Sequence, residues 1–230
     1  MIELLMPPGV EAVEAFGDAQ GERIFPEEEA TIARAVDKRR REFTTARACA
    51  RADLARLDLP PSPIVPGARG APSWPHGVVG SMTHCAGYRA AAVALSRHTA
   101  AIGIDAEPHE PLPSGVLTFA ALPQERERLD RLAAVVTEVC WDRLLFSAKE
   151  SVYKAWYPLT GRWLDFTQAD VEFDAAAGTF TARLLVNGPI VDGRRLTGLA
   201  GRWLVRNGLI VTAIVRPAAT GRRGGTGRGG

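Results

Sequence analysis

The stretch Trp141–Tyr157, WDRLLFSAKESVYKAWY, constrains the fold more than any other part of the chain, because it reads as one helix with two dissimilar faces. Trp141, Leu145, Ala148, Val152 and Trp156 recur at helical spacing and are expected to face a core. Arg143, Ser147, Glu150 and Lys154 recur at the same spacing on the far side. A solvated surface helix looks the same, and a Glu–Lys pair at i, i+4 is common there. Against that reading stands a second acidic pair upstream, Asp105 and Glu107 in AIGIDAEP. The chain is expected to bring that pair to Glu150.

At 230 residues the chain suits one large domain or two small ones, with room for a substantial core. Its 46% hydrophobic and 23% charged residues are those of a folded globular protein. No run reaches the roughly 18 apolar residues that cross a bilayer, so no membrane span is expected. MIELLMPPGVEAVEAF has neither a basic n-region nor a cleavage site, so no secretory leader is expected either, and the localisation read from it is cytoplasmic. Cys49, Cys85 and Cys140 are odd in number, far apart and match no metal-ligand spacing; they read as reduced, buried residues.

The net charge of +2 excludes a chain that binds nucleic acid by bulk charge. The charge is uneven, however: Lys38–Arg41 continues through Arg47, Arg51 and Arg56, and GRRGGTGRGG ends the chain. That tail, 218–230, is Gly-rich, too poor in apolar residues to pack, and expected to be disordered.

Residues 1–25 read as an irregular or short helical lead-in. Pro26 followed by three glutamates reads as a helix start, and helix is expected to about Leu59, where Pro60, Pro61 and Pro63 stop it. Phe43, Ala46, Ala50, Leu54 and Leu57 form its apolar stripe, with Arg40, Arg47 and Arg51 along one edge. Those arginines either snorkel beside the core or form an anion site. The Pro- and Gly-rich run 62–80 is apolar and aromatic enough for an ordered loop, and Arg69 between Gly67 and Gly70 suits backbone near a ligand; a plain surface loop is the alternative. His84 follows Ser81 and Thr83 in a polar stretch, where it is either structural or part of a site. Tyr88–Leu95 and Ala101–Asp105 are β-like segments across a short turn, expected to form a hairpin.

Asp105 and Glu107, two apart in an extended chain, point to one side. Like charges so placed call for a cation, and few carboxylates with all-oxygen ligation suit Mg²⁺. The run PHEPLPSG then reads as the boundary between halves 1–108 and 109–217. Pro123 opens a charged helix, QERERLDRL, and the remainder is β: Thr179–Val186, Leu196–Val205 and Leu209–Val215, with Asn207-Gly208 a type I′ hairpin signal.

GIDAEP followed some forty residues later by FSAKESVYKAW resembles the paired signature of the 4′-phosphopantetheinyl transferases, in the long, monomeric class that activates carrier domains of polyketide, fatty-acid and nonribosomal peptide synthases. RRREFTTARACAR, GARGAPSWP and GSMTHCAGY match further segments of enterobactin-type and actinobacterial members. The resemblance implies an α+β fold of two pseudo-symmetric halves, with coenzyme A and Mg²⁺ (or Mn²⁺) in the cleft between them. It implies that Asp105, Glu107 and Glu150 ligate the metal, and that Lys149 and Lys154 lie near the pyrophosphate. It places Arg47, Arg51, Arg69 and His84 at the 3′-phosphate and neighbouring phosphates. Glu150, Lys154 and Asp105 are the implied catalytic set: Glu150 the candidate to take the serine proton, Lys154 to offset developing charge. The implied partner is an apo acyl or peptidyl carrier protein, for which Arg126, Arg128 and Arg131 are possible contacts. A nucleic-acid-binding module or a catalytically silent coenzyme A binder are the rival readings.

Overall fold

The computed structural model describes residues 1–19, 21–191 and 193–219; the expectation for the tail lies, but for its first two residues, outside the described residues. The elements in chain order are β1 (Val10–Phe16), α1 (Pro26–Ile32), α2 (Asp37–Arg56), β2 (Val78–Cys85), β3 (Tyr88–Leu95), β4 (Thr99–Pro108), α3 (Val116–Ala120), α4 (Pro123–Ala133), α5 (Trp141–Thr160), β5 (Ala169–Asp174), β6 (Thr179–Leu184), the two-residue β7 (Ile190–Val191) and β8 (Arg194–Arg195), β9 (Gly198–Arg206) and β10 (Leu209–Pro217).

Two antiparallel sheets, ordered β1-β3-β2 and β4-β10-β9-β6-β5, build an α+β molecule in four layers: α2, the first sheet, the second sheet, α5. The alternation along β3 explains the stacking. Ala90, Ala92 and Ala94 face Ile102, Ile104, Val211 and Ala213 of the second sheet, while Ala91 and Val93 face Ala50 and Leu54 of α2. Of the apolar stripe read on this helix, Phe43, Ala46, Ala50 and Leu54 are buried, while Leu57, just past the end of α2, is half-buried.

Three expectations are corrected. Tyr88–Leu95 and Ala101–Asp105 are not hairpin partners: β3 already has β1 and β2 on its two edges, so the next strand crosses to the second sheet and pairs with β10. The strand carrying Asp105 and Glu107, read as the end of half 1–108, is therefore hydrogen-bonded within the C-terminal sheet. The division into halves 1–108 and 109–217 remains a proposal. The lead-in does open with a short helical turn at Ile2–Leu5, but Val10–Phe16 within it is a strand, because VEAVEAF pairs along its whole length with β3. The single helix from Pro26 breaks at 33–36, with Val36 extended (φ −65°, ψ 154°). The break lets α1 fold back and send the Glu28 carboxylate to Arg51 on α2 (3.1 Å to both oxygens) and to the Ile64 N–H (2.8 Å).

The sheets meet at β2 and β4 through side chains. The β4 edge turns the Ile104 and Ala106 N–H groups toward β2, where Ser81 Oγ and Thr83 Oγ1 accept them at 3.1 Å each. Asn207 and Gly208 both have positive φ (54° and 71°), the backbone that the β9–β10 turn signal requires.

Candidate active site

Gly103, Asp105 and Glu107 alternate onto the face of β4 that meets α5. A Cβ on Gly103 would lie 2.0 Å from the Ser151 carbonyl oxygen, so glycine is what lets α5 close on the strand here. That contact fixes which helix residues sit over the two carboxylates. Lys154 Nζ donates to Asp105 Oδ1 (2.8 Å) and to the Ile104 carbonyl (3.1 Å). Arg143 Nη1 donates to Glu107 Oε2 (2.8 Å). The core face of α5 is as read, with Trp141, Leu145, Ala148, Val152 and Trp156 all buried. The far side is no solvated face: Ser147 and Ser151 are fully buried and hydrogen-bond the Thr212 hydroxyl at 3.0 and 2.7 Å.

Glu150 is half-buried, and burial raises its carboxyl pKa; Lys154 opposes that rise, and Asp105 and Glu107 add to it. Burial and Asp105 likewise raise Glu107, against the pull of Arg143. The three carboxylates therefore share one field. Among the described residues no three His, Cys, Asp or Glu side chains stand close enough to hold a metal ion as they lie. Lys154 and Arg143 are the cations now balancing them. The donor chemistry still fits a hard divalent cation, since Asp105 Oδ2 is buried without a hydrogen-bond partner.

A cleft of about 520 Å³ opens beside these groups, lined by Glu150, Lys154, Tyr153 and Tyr157 of α5, by Arg69 and Trp74 of the 62–77 loop, and by Gly80 and Met82 of β2. Arg69 holds a left-handed backbone (φ 56°) and lays its guanidinium 5.5 Å from the Trp163 ring, which in turn packs 4.8 Å from Tyr153. Trp74 donates its indole N–H to the Gly80 carbonyl and fills the space a side chain at Gly80 would need.

Of the residues named from sequence, Glu150, Lys154 and Arg69 line this cleft; Asp105 joins them through its ion pair with Lys154, and Glu107, two residues on along β4, is held by Arg143. His84 lies along β2, where its Nε2 is 2.9 Å from Arg39 Nη1 and 3.7 Å from Glu42 Oε2; burial, then Arg39, lowers its pKa. Arg47 and Arg51 sit deeper. Arg47 is buried on the Phe43 ring, donating to the Ile64 carbonyl, and Arg51 is ion-paired to Glu28. Lys149 does not reach the cleft. It points into the core, 2.7 Å from Glu125 Oε2 and from the Phe166 carbonyl, and only 2% of it is exposed. Arg39 and Arg143, quoted within the stretches read from sequence but given no role there, and Trp163, outside them, are further contributors. Arg39 stands one helical turn before Phe43, in a run of basic residues where nothing in the sequence separates it from Arg40.

The basic helix is largely neutralised within the molecule. Arg40 pairs with Glu29, Arg41 with Asp18, Arg51 with Glu28 and Arg56 with Glu3. Arg128 pairs with Asp170, which leaves Arg126 and Arg131 as the other two of the arginines read as carrier contacts. No helix among the described residues is long and apolar enough to cross a membrane.

Comparison with known proteins gives the family of the chain. The family model of the 4′-phosphopantetheinyl transferase N-terminal domain matches residues 27–94, and that of the 4′-phosphopantetheinyl transferase superfamily matches residues 101–193. The gap between the two matches falls at the crossover from β3 to β4. The chain is 59% identical to the 4′-phosphopantetheinyl transferase Svp of Streptomyces mobaraensis, over 100% of this chain and 95% of that protein. It is 51% identical to Npt of Nocardia iowensis, over 93% of this chain and 99% of the relative. To PptT of Mycobacterium tuberculosis it is 49% identical, over 88% of this chain and 90% of the relative. The chain belongs to the 4′-phosphopantetheinyl transferase superfamily, whose members transfer the phosphopantetheine group to carrier proteins.

Proposed function

We propose that this chain transfers 4′-phosphopantetheine from coenzyme A to a serine of an apo acyl or peptidyl carrier protein, releasing adenosine 3′,5′-bisphosphate, as a cytoplasmic monomer. The observation that carries the site assignment is the face of β4 on which Asp105 and Glu107 meet Glu150 and Lys154 of α5 beside an open cleft. Asp105, Glu107 and Glu150 are the residues to hold Mg²⁺ or Mn²⁺, with Asp105 Oδ2 the unsatisfied donor atom. A bound divalent cation would neutralise pyrophosphate charge and polarise the bond that breaks.

In this reading Lys154 moves its interaction from Asp105 toward the phosphate oxygens, where charge develops on transfer. Glu150 is the group to take the serine proton, since its raised pKa makes it a stronger base than an exposed carboxylate. Arg69, which lines the cleft, and Arg39 supply fixed cations for the pyrophosphate and the 3′-phosphate, with His84, whose pKa burial and Arg39 lower, as the neutral hydrogen-bonding partner of Arg39. Arg47 and Arg51 support that end from behind, two guanidinium groups facing the single Glu28 carboxylate. Lys149 is left out of the coenzyme A site because Glu125 and the Phe166 carbonyl already engage it.

The test is the intact mass of an apo carrier protein after incubation with this protein, coenzyme A and Mg²⁺. A gain of roughly 340 Da, the mass of one transferred phosphopantetheine, that EDTA abolishes is the expected result. No gain on several unrelated carriers, with coenzyme A still bound, would favour a silent binder. Retention of near-full rate by Glu150→Gln at saturating Mg²⁺ would remove Glu150 from both of its roles.

A further inference from the structure

We propose that Arg143 is a positioning residue that sets the Glu107 carboxylate for the divalent cation, an inference that rests on the three-carboxylate reading above. Each of its three guanidinium nitrogens donates to one acceptor: Nη1 to Glu107 Oε2 at 2.8 Å, Nε to the Glu110 carbonyl at 3.0 Å and Nη2 to the Pro111 carbonyl at 2.9 Å. Two of the three acceptors belong to the linker that leaves β4. One side chain therefore ties a carboxylate, and the chain just after it, to the helix that carries Glu150.

The placement matters because Glu107 is the last residue but one of its strand. Its ladder partner is Ile210, and only the Pro108–Leu209 pair follows. A carboxylate at a strand end has rotamers to lose before it can bind a cation. Arg143 and Glu150 lie seven residues apart on α5, about 10 Å along a helix axis, so a carboxylate pinned to Arg143 is held at a fixed station relative to Glu150. Neighbouring contacts brace the same linker: Asp142 Oδ2 accepts the Leu112 N–H at 2.8 Å, and His109 Nε2 accepts the Cys140 N–H at 3.1 Å. Arg143 takes Oε2 and leaves Oε1 as the oxygen to meet the cation.

The fork is what the task requires. Three divergent N–H groups in one plane reach a side-chain oxygen and two carbonyls at once, which an ammonium cannot reproduce. The rival account makes Arg143 a plain counter-ion to the carboxylates. The two accounts differ in sign. Removing a counter-ion leaves the carboxylates more attractive to Mn²⁺, whereas removing a positioning group loosens the site despite the lost positive charge.

Titration of the full chain with Mn²⁺ at saturating coenzyme A, without carrier and with free Mn²⁺ read by electron paramagnetic resonance, separates them without any turnover. Arg143→Ala is expected to weaken Mn²⁺ binding about 10–100-fold, the range for groups that orient metal ligands. Arg143→Lys, which keeps the charge and loses the fork, is expected to recover little of it. In turnover assays with a carrier, the Mn²⁺ concentration for half-maximal rate should rise while the rate at saturating Mn²⁺ largely recovers. Asp105→Asn is the control. If it loses Mn²⁺ while Arg143→Ala binds as tightly as wild type or tighter, Arg143 is a counter-ion and the proposal is overturned. If Asp105→Asn also binds like wild type, the carboxylate reading fails and takes this inference with it. Should Arg143→Ala not fold, Arg143→Lys alone decides, since wild-type affinity there would equally overturn a role that needs the fork.

Discussion

Asp53 is a carboxylate with no solvent exposure on the inner side of α2, and neither oxygen has a well-formed hydrogen bond. Burial pushes its carboxyl from an ordinary 3.8 to about 8; Arg56 and the Val13 backbone pull it down, while Glu11 and Glu3 push it further up. The folded form therefore keeps a proton that the unfolded chain has lost. That lowers stability as pH rises from about 4 to about 8 and leaves the loss level above. Asp53→Asn keeps the shape and cannot ionise. The melting-temperature gap in favour of the variant should widen steadily between pH 5 and pH 8, and a gap that stays constant over that range would mean that Asp53 does not hold its proton in the fold. Lys149 is the opposite case, a buried charge with its partner in place. Lys149→Ala strands Glu125 and should cost about 3–5 kcal/mol in urea unfolding; unchanged stability with a raised KM for coenzyme A would return Lys149 to the phosphate site. Neither environment was legible. KES in a helix says that Lys149 and Glu150 point in different directions, but the partner of Lys149 lies 24 residues away on α4, at a distance that local periodicity cannot report.

The elements divide in the same way. The α5 core stripe, the α2 stripe and the β9–β10 turn were readable because each rests on local spacing or on a required backbone conformation. β1 was not, since VEAVEAF becomes a strand by pairing with β3, seventy or more residues on. The β3–β4 hairpin misled for a related reason: a short polar turn between two β-like runs does not reveal that the first strand has both edges taken. Ser81 and Thr83, read only as the polar stretch before His84, satisfy the β4 edge at the seam between the sheets. Gly103 was quoted within a signature, yet its physical reason is steric, because the helix backbone occupies the place of its Cβ. Gly103→Ala should push α5 away from β4, cost about 3 kcal/mol, the upper end for an overpacked contact, since only backbone is there to yield, and separate Lys154 from Asp105. Loss of stability measured by urea unfolding checks it. A wild-type midpoint would show that the helix can shift freely and that its closeness does not set the site.

At the scale of the whole molecule, the cleft takes one wall from the first sheet and its loop and the other from β4 and α5. Among the described residues, side chains bridge the walls at its edges: the Ser81 and Thr83 hydroxyls to β4, and Arg69 over Trp163. A ligand spanning the cleft binds the folded arrangement and not the unfolded chain, so it must stabilise by mass action. At one hundred times its dissociation constant the gain is about 2.7 kcal/mol, which for a chain of this length raises the melting temperature by roughly 5–11 °C. Coenzyme A with Mg²⁺ should produce a rise of this size in a single transition. Coenzyme A with EDTA, at the same concentration, should produce a smaller one, because the pyrophosphate then faces Asp105, Glu107 and Glu150 without a cation between them. Equal shifts with and without Mg²⁺ would place the nucleotide on the Arg39–His84 end alone, away from the three carboxylates. No shift in either condition would leave the cleft unfilled by coenzyme A and the site assignment without its substrate.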